Sequence, residues 1–354
     1  MIKIQEHLDR VDANAFLDAL AQKHWEELNK KLVIGKGYRQ NSLIEKCKKY
    51  RQETKLKSYQ LKYAGNSAVT AQRQKKFFAF LLASKAKELK RLVTSRPTDF
   101  AAIKSDIFNI LQPNDLFTGT PDNYSQTPFG SLLSDTIFNY TAFRGSDFCK
   151  ELFKTLGFES TTCPYCNDNK LNIVKLKSNS SAATKYKAYL DLDHFYPKSL
   201  NPFFAVTFFN LIPTCHDCNS GDKGDKPFSI ETHIHPYHEA FDDNYKFKIS
   251  LTVLLGDPLD SIEIQKLATK PLDVTLNDLN LNARYTNSFE TAKKLVDLFW
   301  KNKKHIGTEF ENDFKELLLK DIAIERKNIL KHQRAKMCRD ILIQIDIANV
   351  LGII

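Results

Sequence analysis

The stretch Leu192-Asp193-His194-Phe195-Tyr196-Pro197-Lys198-Ser199 lies between two cysteine pairs, Cys163-Pro164-Tyr165-Cys166 and Cys215-His216-Asp217-Cys218, and Asn219 follows the last cysteine directly. Paired thiolates suit Zn2+, and two CxxC knuckles can close one tetrahedral four-thiolate site of the structural kind. The chain between Cys166 and Cys215 is longer than in a compact zinc ribbon, so it must leave and return to one point, as a strand pair does. No thioredoxin-like βαβ pattern surrounds either pair, which favours zinc over a redox role. Asp193 and His194 end the run Tyr189-Leu190-Asp191-Leu192. Neutral imidazole, with an ordinary pKa of about 6.5, can take a proton from water. Asp193 is a hard oxygen donor and Asn219 offers an amide carbonyl. Two such ligands, with waters and a substrate phosphate, describe a Mg2+ site.

Outward from this centre the periodicity is mostly helical. Residues 1–130 read as helices, with Phe16-Leu17-Leu20-Trp25-Leu28 and Phe77-Phe80-Leu81-Ser84-Leu89-Leu92 on apolar faces. Pro97-Thr98-Asp99 starts a further helix through Leu111, and the Pro-, Asp- and Gly-rich stretch 113–130 reads as a linker. A helix around Phe148-Leu152-Leu156 enters the first knuckle. Strands are expected over Leu171–Leu176 and Tyr186–Leu192, separated by a Ser-Asn-Ser-Ser turn, and Asn210–Thr214 forms a third apolar run. Tyr245–Leu254 alternates as an exposed strand would, and the tail from Leu276 returns to helix. Trp25 and Trp300 read as core.

The run Cys163–Lys226 resembles the HNH (ββα-metal) nuclease family. The likeness rests on Cys163/Cys166, Asp193-His194 with Pro197, Asn210-Leu211, and Cys215/Cys218-Asn219 with Lys223 close by. It implies His194 as general base, Asp193 and Asn219 as ligands of a catalytic Mg2+ or Mn2+, and Asn210 as a brace of the loop. It also implies structural Zn2+ on Cys163, Cys166, Cys215 and Cys218, and products with 5′-phosphate and 3′-hydroxyl ends. Gly221 and Gly224 make the final helix short or broken. Phe143-Arg144, the wording Asp-His-Phe-Tyr-Pro-Lys-Ser, and His235-Pro236-Tyr237 are similar to the nuclease subunit of bacterial Septu-type anti-phage systems, which works beside an ATPase. Lys198, Lys223 and Lys226 are candidates to neutralise phosphates. His216 reads as a spectator between zinc cysteines, and His233, His235 and His238 as packing or phosphate-contact residues. Asp191 could support Asp193 or stand in solvent.

The chain has 354 residues and a net charge of +10. Between Lys46 and Arg96, fifteen Lys/Arg face two acids, a net +13, so the remainder sums to −3. Such a concentration points to a polyanion partner. Seven cysteines, four of them in CxxC pairs, suit a reducing compartment, with Cys47, Cys149 and Cys338 as single thiols. No apolar signal core or spanning stretch is visible, so a cytoplasmic protein without membrane contact is expected.

The expected fold is therefore α+β: mainly helical, around a zinc-stapled ββα-metal unit. Three regions are anticipated. Residues 1–130 form a helical basic region for nucleic acid or a partner, 131–240 a nuclease domain, and 241–354 a strand pair with helices. The expected function is phosphodiester hydrolysis in nucleic acid, with DNA favoured, as the effector of an anti-phage system and with an ATPase partner protein. The alternatives are an RNA-cleaving effector of the same fold, a zinc-stapled nucleic-acid-binding module without cleavage, and an effector held inactive within a larger complex.

Overall fold

The computed structural model describes residues 1–120, 123–176, 185–267, 269–320 and 322–353; the expected Ser-Asn-Ser-Ser turn lies outside them. The described chain is α+β and mainly helical, with four small antiparallel sheets. No described helix is long and apolar enough to cross a membrane.

The N-terminal helices are Ala13–Leu28, Leu43–Glu53, Lys57–Tyr63, Ala68–Thr94 and Phe100–Phe108. Ser42 and Ser67 cap the second and fourth by accepting from the Glu45 and Thr70 amides at 3.2 Å, which satisfies donors that helix geometry leaves open. Leu17, Leu20, Phe77, Leu81, Leu89 and Leu92 are buried as their spacing predicts. The long helix is nevertheless interrupted. Ser84, Lys85 and Ala86 have φ of +49°, +61° and +65°, so a left-handed turn joins two helical segments.

The stretch 113–130 is folded and does not act as a linker. It forms the turn Pro113–Leu116, the hairpin β1 (Phe117–Thr120) and β2 (Asn123–Gln126), and the turn Pro128–Ser131. Leu116 and Phe129 are fully buried. The polar residues that suggest a linker are consumed locally. Thr127 donates to the Asp115 carbonyl at 2.6 Å and accepts from Gly130, while Arg73 pairs with the Asp115 carboxylate at 2.7 Å.

The centre contains β3 (Ser160–Thr162), β4 (Lys170–Leu176) and β5 (Lys185–Tyr189) in one antiparallel sheet, and β6 (Asp191–His194) with β7 (Leu211–Thr214) in another. The expected single strand Tyr186–Leu192 is thus split at Leu190, one half pairing with β4 and the other with β7. Arg144 donates to the Leu190 carbonyl and Tyr140 to that of Leu192, so backbone groups at the corner find side-chain partners. After Cys215 the chain makes a wide helical turn, Asp217–Lys223. It ends at Gly224, whose φ of +52° turns the backbone out while its amide bonds the Asn219 carbonyl at 2.8 Å.

Beyond the centre, β8 (Tyr245–Lys248) pairs with β9 (Glu263–Lys266). The strand expected through Leu254 stops at Lys248. Ser250 starts a helical turn, Leu251–Leu254, and Leu251 is exposed. The tail is helical in several segments, the longest being Phe289–Asn302 and Ala335–Ile345. That last helix docks through a buried cluster in which Lys336 contacts Asp242 and Asp340 at 2.6 Å each. Buried apolar residues from Met1 to Leu351 form one continuous cluster, with Trp25 and Trp300 packed against it. Cys47, Cys149 and Cys338 are buried thiols.

Candidate functional site

The four knuckle cysteines are buried, and their sulfurs all lie within 4.8 Å of one another. Four thiolates at about 2.3 Å from a central ion would stand roughly 3.8 Å apart, and Cys166 Sγ to Cys215 Sγ is 3.9 Å. The group could therefore hold a metal such as zinc. It is the one cluster of three or more His, Cys, Asp or Glu ligands found among the described residues.

Each knuckle is shaped by its own backbone. The Asn167 amide bonds the Cys163 carbonyl at 2.7 Å, and the Cys163 amide bonds that of Asn169 at 2.9 Å. Asn167 takes the left-handed conformation, φ +55°, that asparagine tolerates better than most residues. Its buried side chain donates to Thr162 and to the Ile329 and His332 carbonyls, and accepts from the Lys336 amide. Arg284 donates to Cys218 Sγ at 2.9 Å and pairs with Asp222, placing a positive charge beside sulfurs that would carry excess negative charge.

A cleft of about 360 Å3 opens beside this node. Tyr140, Asp193, His194, Lys198, Asn219 and Lys223 are among its walls. Strand β6 delivers Asp193 and His194, held in register opposite Ile212 and Leu211. His194 Nε2 lies 2.9 Å from the Ala205 carbonyl. A carbonyl can only accept, so Nε2 carries the proton. Burial, followed by the charges of Lys198 and Lys223, pushes the pKa of His194 down to about 3, although the bond to Ala205 opposes the shift. The ring is therefore neutral at physiological pH and its lone pair sits on Nδ1. Among the described residues, Nδ1 has no hydrogen-bond partner. The Tyr140 ring stands edge-on at 4.4 Å from the imidazole.

Asn210 is fully buried and braces the loop between β6 and β7. Its Oδ1 accepts from the Tyr196 amide at 2.8 Å, and its Nδ2 donates to the Tyr196 and Phe204 carbonyls. Asp193 accepts from the Tyr165 hydroxyl at 2.7 Å and from Lys223 Nζ at 2.8 Å. Asn219 Nδ2 donates to Asp191 at 3.2 Å, which leaves its side-chain Oδ1 without a partner among the described residues. His216 sits on the same Asp191 oxygen at 3.1 Å.

The candidate lysines separate. Lys198 lines the cleft, its ammonium 5.5 Å from the Tyr140 ring centroid. Lys223 also lines it, but is buried against Asp193 and the His194 carbonyl rather than standing free for phosphate. Lys226 turns away and donates to the Asp278 carbonyl at 2.8 Å. His233 stacks on Phe228 and bonds Asp278, while His235 packs on Phe195, as packing residues do. Three contributors escape the sequence reading. Tyr165 carried a local signal, a hydroxyl inside a knuckle whose ends are fixed. Tyr140 and Arg284 carried none, because their partners are remote in sequence.

No family model matches the chain, and no solved structure matches it. A stretch of 77 residues is 38% identical to Protein ea31 of Escherichia phage lambda; it covers 21% of this chain and 20% of that protein. The chain thus spans about a fifth of the curated relative it matches.

Replacing the Asn210 side chain strands the Tyr196 amide and carbonyl in the interior, each at a cost of about 1–3 kcal/mol. Asn210→Ala should accordingly lower stability by roughly 2–4 kcal/mol in urea unfolding; a change below about 0.5 kcal/mol, the surface-substitution range, would show that the brace is dispensable.

Proposed function

We propose that the chain is a metal-dependent HNH (ββα-metal) endonuclease that hydrolyses phosphodiester bonds in nucleic acid, with DNA as the favoured substrate. The observation that carries this reading is the placement of His194. Its Nε2 is committed to the Ala205 carbonyl, and it shares one cleft with the Asp193 carboxylate and the Asn219 carbonyl oxygen.

In this reading His194 Nδ1 accepts the proton of an attacking water. The Ala205 carbonyl holds the tautomer that makes this possible, and Tyr140 and the Asn210 brace fix the ring and its loop. Lys198 offsets the charge of the bound phosphate. Asp193 and Asn219 present hard oxygens of the kind that bind Mg2+ or Mn2+, a donor set that fits once Lys223 yields its place on Asp193. An ion held there would supply charge stabilisation at the phosphoryl group and the departing 3′ oxygen. The four cysteines would hold a structural Zn2+ that sets the positions of Tyr165 and Asn219. A zinc-stapled binding module without cleavage has no use for His194 and Asn219 together.

The basic segment divides into two populations. Arg73, Arg91 and Arg96 are consumed by Asp115, by Glu88 with Asp106, and by Asp18, and Lys46 donates to the Thr136 carbonyl. Lys76, Lys85, Lys87 and Lys90 are exposed and have no ion pair among the described residues, so they can meet a phosphate backbone. The likeness of the flanking motifs to Septu-type proteins supports a role as an anti-phage effector beside an ATPase.

Incubating the protein with DNA and with RNA, in Mg2+ or EDTA, should give Mg2+-dependent cleavage with 5′-phosphate ends. His194→Ala should slow it by about 10²–10⁴-fold with nucleic-acid binding retained; equal cleavage by this variant would remove the assigned role. Because burial holds the imidazole neutral, its protonation should not limit the rate until the pH is well below its ordinary value of about 6.5.

Elemental analysis should find one zinc per chain, and Cys163→Ser should reduce folded yield, since metal binding of this kind is folding free energy. Folded, active protein without zinc would dismiss the metal.

Reversing Lys76, Lys85, Lys87 and Lys90 to glutamate should weaken duplex binding for all sequences alike. It should also flatten the slope of log affinity against log salt by about 0.9 per lost contact. An unchanged slope with a lost protein complex would assign this face to an acidic partner instead.

A further inference from the structure

Lys223 is the last residue of the wide turn that carries Asn219, and its ammonium is almost wholly buried. It lies 2.8 Å from Asp193 Oδ1 and 2.8 Å from the His194 carbonyl. The other oxygen of Asp193 is occupied by the Tyr165 hydroxyl. The oxygen that an ion would need is therefore already held by a cation of the protein's own. A carboxylate buried to this degree requires a compensating charge, and Lys223 supplies it. An ammonium and a divalent ion on the same buried carboxylate would set two like charges against each other inside the protein, so each weakens the hold of the other.

Lys223 meets Asp193 and the His194 carbonyl through its side chain alone. Its side chain is long and flexible, it stands at the end of the turn, and Gly224 directly behind it takes a left-handed conformation. Lys223 also lines the cleft, so an ammonium freed from Asp193 remains among the groups that would meet a phosphate.

We propose that Lys223 is a built-in competitor for the divalent ion: it holds Asp193 until an ion takes that oxygen, and it then turns its ammonium into the cleft. The inference rests on reading Asp193 and Asn219 as the ion's ligands. It makes two events simultaneous, loading of the ion and exposure of a phosphate-binding charge. The site would thereby be weak for free ion and stronger when a phosphate is present to receive the displaced lysine.

The test is a Mn2+ titration of the zinc-loaded full chain, followed by electron paramagnetic resonance in the absence of nucleic acid. Lys223→Gln keeps a hydrogen-bond donor for Asp193 but removes the charge. It should bind Mn2+ about tenfold more tightly than the parent, within the usual 5–150-fold range of coupling between sites. Lys223→Arg should bind no more tightly than the parent, and Asp193→Asn should lose the site. Equal or weaker binding by Lys223→Gln overturns the competition while leaving the ion site intact. No binding at millimolar Mn2+ by any of these chains overturns the ion site itself, and the competition with it. A second measurement needs no variant. In the parent, the Lys223 ammonium protons should be protected from solvent exchange without Mg2+ and lose that protection at saturation. Protection that persists at saturation overturns the proposal even if Lys223→Gln fails to fold.

Discussion

Four sulfur atoms within 4.8 Å of one another mark the point where two distant stretches of chain meet, and the rest of the centre is arranged around that point. Asn219 follows Cys218 directly, so the second knuckle sets where its amide stands. Tyr165 lies inside the first knuckle, and its hydroxyl meets Asp193 at 2.7 Å. Asp193 and Asn219 are thus both placed from the same node, one through a phenol and one through the backbone. A shift of either knuckle would move Asp193 or Asn219 as well as the sulfurs.

The surroundings of the node are equally consequential. Arg284, Asn167 and Lys336 connect it to the C-terminal helices, Arg284 by direct contact with Cys218. On the far side, the helices of the basic segment back the loop between β6 and β7, with Thr207 donating to the Leu92 carbonyl at 2.8 Å. The cleft therefore sits between two helical masses that share one apolar cluster. Burial beside these elements lowers the pKa of the His194 ring, and the nearby lysines add to the shift.

Charge in this molecule serves two separate purposes. Lys223 and Lys336 are enclosed and Arg284 is half-buried, and they answer individual acids or sulfurs. Lys76, Lys85, Lys87 and Lys90 stand in solvent without acid partners among the described residues. Enclosed pairs contribute positional specificity more than stability, whereas exposed ones act at a distance and are screened by salt. The net +13 of the segment 46–96 conceals this division, because a count does not distinguish a lysine in solvent from an arginine tied to Asp115.

The amino-acid sequence by itself determined the α+β class, the cysteine grouping, strand β4, the apolar run that becomes β7 and the candidates His194, Asp193, Asn210 and Asn219. These depend on spacing over a few residues, which covalent geometry and side-chain period constrain directly. Only the tertiary structure decided that Tyr186–Leu192 bends at Leu190 into two sheets, that 113–130 is packed, and that the helix through Phe77 and Leu89 breaks at Ser84. It alone decided that Lys223 is enclosed while Lys226 is not, and that Tyr140, Tyr165 and Arg284 reach the site. These outcomes depend on which surfaces meet across long sequence separations, where burial and partner geometry override local pattern. Periodicity can say that a lysine lies on a helix, but only the folded chain can say which carboxylate it faces.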